Sequence, residues 1–298
     1  MKKNSILVSG ASGKLGRQVL DILLEHGASS VIATTRTPDR HADLVARGVD
    51  VRYADFNDKQ SVVEAFAGAG RILLISTDTL DSTGRRVRQH RNAIQAASES
   101  GVGHIVYTSF VNREGAALSA MNSDHIATEE MLAASGAGFT CLRNSFYMDM
   151  LFLILGDGVR SGSIFSAAGD GKVAYVARED CARAAAAALL DGYGGRRTLD
   201  ITGPLAVNAA ELAVLAGAVF GIDIKLIDLS AQDQAHRFIS KGMPPAMAEG
   251  LAKVERLVAQ GTMDVISDDF ARLTGRAPMS PSQFLTAQRA VFLNRQGT

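Results

Sequence analysis

The chain has 298 residues, 47% of them hydrophobic, with 31 Lys plus Arg balanced by 31 Asp plus Glu. That balance offers no basic face for nucleic acid and no polybasic segment for a membrane surface. The length suits one large α/β domain, or a core domain with a smaller one appended.

The opening Met1-Lys2-Lys3 precedes only about four apolar residues before Gly10, too few for the apolar core of a secretory signal. No run approaches the roughly 18 apolar residues of a membrane span. Cys141 and Cys181 have apolar surroundings and no C-x-x-C spacing, so they read as buried thiols in a reducing compartment. A cytoplasmic location is therefore expected.

Ser5–Ser9 reads as a first strand and runs directly into Gly10-Ala11-Ser12-Gly13-Lys14-Leu15-Gly16, where an amphipathic helix pattern begins over Lys14–His26. A strand that turns through glycines onto a helix start is a cradle for a pyrophosphate. Gly10 permits the tight turn, Gly13 lets backbone N–H groups approach an anion, and Gly16 lets helix and strand pack closely. The helix N-terminus adds about half a positive charge. The plain alternative is an ordinary Gly-rich turn. The G-x-x-G-x-x-G spacing is one residue longer than G-x-G-x-x-G. A P-loop is excluded, because Leu15 rather than Ser or Thr follows Lys14.

Further strands are expected at Ser30–Thr35, Val49–Tyr53, Arg71–Thr77, His104–Ser109 and Phe139–Leu142, with helices over Arg40–Gly48, Lys59–Ala67, Gly84–Ser100 and Ser123–Ser135. Continuous apolar strands separated by helices mean a parallel sheet covered on both faces, with its ligand at the carboxyl ends of the strands. Beyond about Leu151 the rhythm loosens. Short strand-like pieces lie between Gly156 and Gly171, followed by a strand over Lys172–Val176, a helix from about Asp180 to Leu190 and a strand near Thr198–Thr202. The remainder is mostly helical, with Asn208, Ser230 and Ser280-Pro281 as helix starts. The expected division is a dinucleotide-binding lobe over residues 1–150, with return segments near 172–202, and a smaller, discontinuous substrate lobe over 151–298. The apolar helical tail leaves room for a homodimer interface.

The strand ends carry the candidate ligand contacts. Arg36 closes the second strand, where an Asp or Glu would accept from a ribose 2′-OH; an Arg suits a 2′-phosphate instead, with Lys14 and Arg40 near enough to assist. The expected cofactor is therefore NADPH rather than NADH. A solvated strand-end arginine is the plain alternative. Asp55-Phe56 fits an adenine platform, or equally a turn aspartate with a core phenylalanine. Ser76-Thr77 would let a cofactor pass close, and Ser109 would lie beside its nicotinamide. Asn144-Ser145-Phe146-Tyr147 would border both nicotinamide and substrate. There Phe146 and Tyr147 offer flat faces, and Asn144 or Tyr147 offers a bond to a carbonyl oxygen. Core aromatics are the alternative reading for both rings.

None of the five tyrosines has a Lys four residues on, so the Tyr/Lys acid of many dehydrogenases is missing. On the corresponding helix stand His125 and Glu129, either a proton shuttle or an ordinary helix ion pair. Without a strong acid, quinone or conjugated acceptors are favoured over ketones and sugars. No G-x-S-x-G elbow and no metal-ligand spacing occur.

Together these stretches resemble the NmrA-like, atypical short-chain dehydrogenase/reductase family, and within it the flavin-free quinone reductases and triarylmethane dye reductases. The residues that carry the likeness include Val8–Gly16, Arg36, Leu73-Leu74-Ile75-Ser76, Gln89-His90-Arg91-Asn92 and Tyr107-Thr108-Ser109. Asp124-His125-Ile126 with Glu129, Leu142-Arg143-Asn144 with Tyr147, and Ala167–Lys172 complete it. The resemblance implies a Rossmann-type parallel sheet with helices on both faces and a smaller C-terminal α/β substrate lobe. It also implies NADPH on the glycine loop and Arg36, with no flavin and no metal. The sequence departs from the family at Asp78–Arg86 and after Met243. Two functions follow: direct hydride transfer to a quinone-like planar acceptor, or an NADP(H)-binding redox-sensing regulator without turnover.

Overall fold

The structure, a computed structural model, describes residues 5–79, 83–111 and 120–294. Met1–Lys3 and residues 80–82 of the divergent Asp78–Arg86 stretch lie outside it. Strand and helix alternate through the first half: β1 (Ser5–Val8), α1 (Lys14–Glu25), β2 (Val31–Thr35), α2 (Ala42–Ala46), β3 (Asp50–Tyr53), α3 (Lys59–Phe66), β4 (Ala69–Leu74), α4 (Arg85–Glu99), β5 (His104–Phe110), α5 (Ala120–Ala134) and β6 (Gly138–Asn144). Short helices α6 (Leu151–Leu155) and α7 (Gly158–Ser161) lead to β7 (Ser163–Ser166), and α8 (Arg178–Leu190) and β8 (Arg196–Ile201) follow. After α9 (Ala209–Phe220) and β9 (Lys225–Asp228) the chain is helical: α10 (Ala231–Ser240), α11 (Pro245–Ala259), α12 (Asp269–Thr274), α13 (Pro281–Ala287) and α14 (Arg289–Asn294).

The main sheet has seven parallel strands in the order β3-β2-β1-β4-β5-β6-β8. Side chains alternate across a strand, and here both faces are apolar. Val8, Leu73, Val106 and Leu142 point into one core with Val19, Leu20 and Leu23 of α1 and the alanines of α8. Their neighbours Leu7, Ile72, Leu74, Ile105, Tyr107 and Cys141 point into the other, with Val62 and Phe66 of α3 and Ala93 and Ala97 of α4. Such double burial explains the near-continuous apolar runs. Strand order reverses between β1 and β4, and the carboxyl ends of the strands at such a reversal are where open α/β sheets bind ligands.

A third core belongs to the C-terminal part, where Leu151, Leu155, Ile164, Tyr175, Leu212, Phe220, Leu285 and Phe292 are buried together. β7 and β9 form a separate two-stranded parallel sheet. The expected strand over Lys172–Val176 does not form. Val173 and Val176 each make only a single bridge, antiparallel to Val207 and parallel to Tyr147, so the two ends of the segment pair with different partners in opposite senses. Asn208, Ser230 and Ser280 all cap helices with their side chains, the first and last in reciprocal capping boxes. Cys141 and Cys181 are buried free thiols.

Candidate active site

The glycine loop takes the shape its residues require. Gly10 has φ +66°, a left-handed conformation costly for any side chain. A Cβ on Gly16 would come within 2.4 Å of the Gly10 carbonyl oxygen, so helix and turn touch backbone to backbone. The Gly13 N–H is spent on the Gly10 carbonyl at 2.9 Å; its own amide is not among those free for an anion. Arg17 N–H makes the first helical bond, to the Gly13 carbonyl at 3.0 Å, which leaves the amides of Lys14, Leu15 and Gly16 without a helical acceptor. No side chain caps α1, and no acid lies in its first turn. This is the arrangement of an anion-binding N-terminus.

Ala11 is buried, and its N–H bonds the Thr34 carbonyl at 3.1 Å, pinning the loop to β2. Ser12 Oγ lies 2.5 Å from Thr35 Oγ1 and 3.1 Å from His41 Nε2. Arg36, the next residue, is exposed. Lys14 and Arg40 are exposed as well, but the side chain that touches the loop is His41. After β3, the Asp55 carboxylate accepts from Asn57 N and Nδ2 at 2.9 and 2.8 Å and so closes its own turn. Half-buried Phe56 packs against the α3–α4 core. After β4, Ser9 Oγ accepts from Ile75 N, Thr108 Oγ1 from Ser76 N at 2.8 Å, and His90 Nε2 from Thr77 N at 3.1 Å.

Deeper in, polar side chains sort into two groups. Ser109 donates to Glu129 at 2.6 Å, and Arg143 grips the same carboxylate with Nε and Nη2 at 3.0 and 2.6 Å. His125 faces elsewhere: its Nδ1 lies 2.8 Å from Tyr107 Oη and its Nε2 3.0 Å from Arg86 Nη2. The expected His125–Glu129 pair is therefore replaced by Glu129–Arg143, and His125 joins a buried cluster that includes His90 and Thr128. Burial, reinforced by Arg86, pushes the His125 pKa well below its usual range. Burial also raises the Tyr147 phenol above its ordinary value, offset in part by a hydrogen bond with Asn144. Neither group is a ready proton donor near neutrality.

Phe146 links this region to an apolar cavity in the C-terminal part. Its ring meets Phe110 edge-on at 5.2 Å and borders an apolar cavity of about 80 Å³ lined by Phe165, Tyr175, Leu212, Phe238 and Val258, with Glu255 the one carboxylate. That lining suits the apolar part of a small organic molecule. Glu255 accepts from Ala167 N and from Gln234 Nε2.

A family model described as NAD(P)H-binding matches residues 10–192. The chain belongs to the NAD(P)H-binding family. Quinone oxidoreductase 2 of Escherichia coli is 33% identical over 271 residues, 91% of this chain and 93% of that protein. The crystal structure of an NADPH-dependent quinone oxidoreductase from Escherichia coli complexed with NADPH superposes with a TM-score of 0.89 at 31% identity, covering 95% of this chain and 99% of that one. Triphenylmethane reductase from Citrobacter sp. gives 0.88 at 30%, covering 96% and 99%. The protein is an NAD(P)H-dependent oxidoreductase.

A nicotinamide cofactor fits the residues that this family member presents. Asn144 Oδ1, Ser145 Oγ and Thr77 Oγ1 are buried polar atoms with no partner, at the carboxyl ends of β6 and β4. Buried polar groups normally find one, and an amide-bearing ligand would supply it. The glycine loop, Arg36, Ser76, Thr77, Ser109 and Asn144–Tyr147 lie at or just past the carboxyl ends of β1, β2, β4, β5 and β6. Missed from sequence were His41, the cavity residues Tyr175 and Phe165, and the buried Arg86–His125–Tyr107 cluster. The cavity residues follow the divergent or loosely patterned regions, where no motif marks them. His41 carried one available signal, a basic ring five residues past Arg36.

Proposed function

We propose that this protein is an NADPH-dependent reductase that passes hydride directly to a flat, quinone-like or otherwise conjugated acceptor, without flavin. It would use a binding lobe over residues 1–150 with its return near 172–202, and a substrate lobe over 151–298. The observation that carries the proposal is the apolar cavity opening from Phe146, next to the unpartnered Asn144 and Ser145. The names of the relatives from Escherichia coli and Citrobacter support the acceptor class.

Bound NADPH would supply the hydride. The glycine loop and the first turn of α1 would hold its pyrophosphate, with Arg36 on the 2′-phosphate. Ser76 and Thr77 would border its path, and Asn144 and Ser145 would fix the nicotinamide amide. Asp55 spends Oδ1 on its own turn and its backbone N–H and carbonyl on Ser61 and Asp58, so any adenine contact there would come from Oδ2 or from the Phe56 ring. Phe146 and Tyr147 would orient the acceptor, and the cavity walls would exclude water. Positioning and desolvation then provide most of the acceleration. A Tyr147 phenol held above its usual pKa and a buried, neutral His125 leave the final proton to solvent.

Purified protein should oxidise NADPH with benzoquinones, triarylmethane dyes or azo compounds, and its spectrum should lack flavin bands. A flavin spectrum, or NADPH binding without turnover of any such acceptor, overturns this reading. The second result is the one expected of a redox-sensing regulator.

A further inference from the structure

We infer that His41 is a second arm of the 2′-phosphate site and a determinant of NADPH over NADH. The inference rests on Arg36 being the first arm. His41 follows a 3₁₀ turn at Pro38–Arg40 and enters α2. Its backbone is fixed at both ends: its N–H bonds the Pro38 carbonyl at 2.9 Å, and its carbonyl accepts from Leu44 N at 3.0 Å. This anchoring delivers Nε2 to 3.1 Å from Ser12 Oγ, within the glycine loop, while the same oxygen meets Thr35 Oγ1. Three side chains from three separate segments thus converge beside Arg36.

The chemistry of the set discriminates between the two cofactors. A ribose 2′-OH needs a carboxylate acceptor at this strand end, and Arg36-Thr37-Pro38 supplies none. The nearby acid Asp43 is engaged by Arg17, and Asp39 is exposed on the turn. Two hydroxyls, an imidazole and a guanidinium are all able to donate, and a tetrahedral dianion takes several donors at once. His41 has no ion pair among the described residues, so its ring is available to a phosphate. Rotation of the Ser12 and Thr35 hydroxyls away from each other would turn both donors toward the same ligand.

The test uses 2′,5′-ADP and 5′-AMP, which differ only in the 2′-phosphate, titrated calorimetrically into the protein and its variants. Wild type should prefer 2′,5′-ADP. His41→Ala and His41→Gln should each weaken 2′,5′-ADP about tenfold, the scale of one charge-assisted hydrogen bond, and change 5′-AMP by less than about twofold. His41→Lys, which places a cationic donor there, should recover most of the loss. Equal losses for both ligands would mark His41 as a brace of the loop and overturn the inference, as would no loss for either. If Arg36→Ala abolishes the preference while the His41 variants keep it, only the His41 assignment falls. If wild type itself does not separate the two ligands, the NADPH reading falls and takes this one with it.

Discussion

Gly16 shows how far one atom can decide the site. An added Cβ would sit 2.4 Å from the Gly10 oxygen and 3.3 Å from the Ala11 Cα. Both neighbours are backbone, so neither can swing aside. Gly16→Ala must push α1 off the turn, which should cost about 1–3 kcal/mol as overpacking and misalign the amides of the first turn. We expect a lower Tm and a weaker affinity for NADPH, read by thermal melting with and without cofactor. A variant with wild-type Tm and affinity would mean that the helix is free to shift. The glycine motif was legible because such steric demands leave a fixed residue type in the sequence. The role proposed for Arg36 rests on the same kind of reason, the charge of a ligand. The direction of a side chain leaves no such mark: Glu129 turns to Ser109 and Arg143 where its spacing suggested His125.

Elements of the parallel sheet were readable because burial on both faces forces apolar runs, and every strand of the first six was anticipated to within a few residues. Extensions came at the ends: β5 and β6 each continue to the site, through Phe110 and Asn144. The C-terminal part was less readable. β9 is Lys225–Asp228, a four-residue strand with mostly exposed side chains, too short and too polar to show a period. Helix starts there were clear, since capping depends on local chemistry. Ser280 accepts from Gln283 N at 3.2 Å while Gln283 returns a bond to Ser280 N at 2.8 Å, and the helix they open buries Phe284 and Leu285. Ser280→Ala should therefore lower stability by about 1 kcal/mol, measured by urea denaturation. Ser280→Asp, which keeps an acceptor, should retain most of it. Equal losses in both variants would place the contribution in something other than the cap.

For the molecule as a whole, burial separates the pH dependence of stability from that of activity. His90 is completely buried, and its pKa is held down to about 3, first by that burial and then by Arg86. Between that value and the ordinary 6.5 the unfolded chain binds a proton that the folded one refuses. The contribution of His90 to stability is therefore complete above pH 6.5 and is lost as pH falls toward 3, by about 1.4 kcal/mol per pH unit. His125 shifts in the same direction and steepens the acid limb, while Tyr147 shifts upward, away from neutrality. Neither His125 nor Tyr147 is then poised to titrate between about pH 6.5 and 8.5. With NADPH saturating, kcat/KM for a quinone should stay flat across that interval, whereas one essential acid would impose a tenfold slope per unit. Urea midpoints should meanwhile fall below pH 6.5, and His90→Gln should flatten that fall. A sloping rate profile that His125→Asn or Tyr147→Phe abolishes would return the proton to a side chain and refute its delivery by solvent.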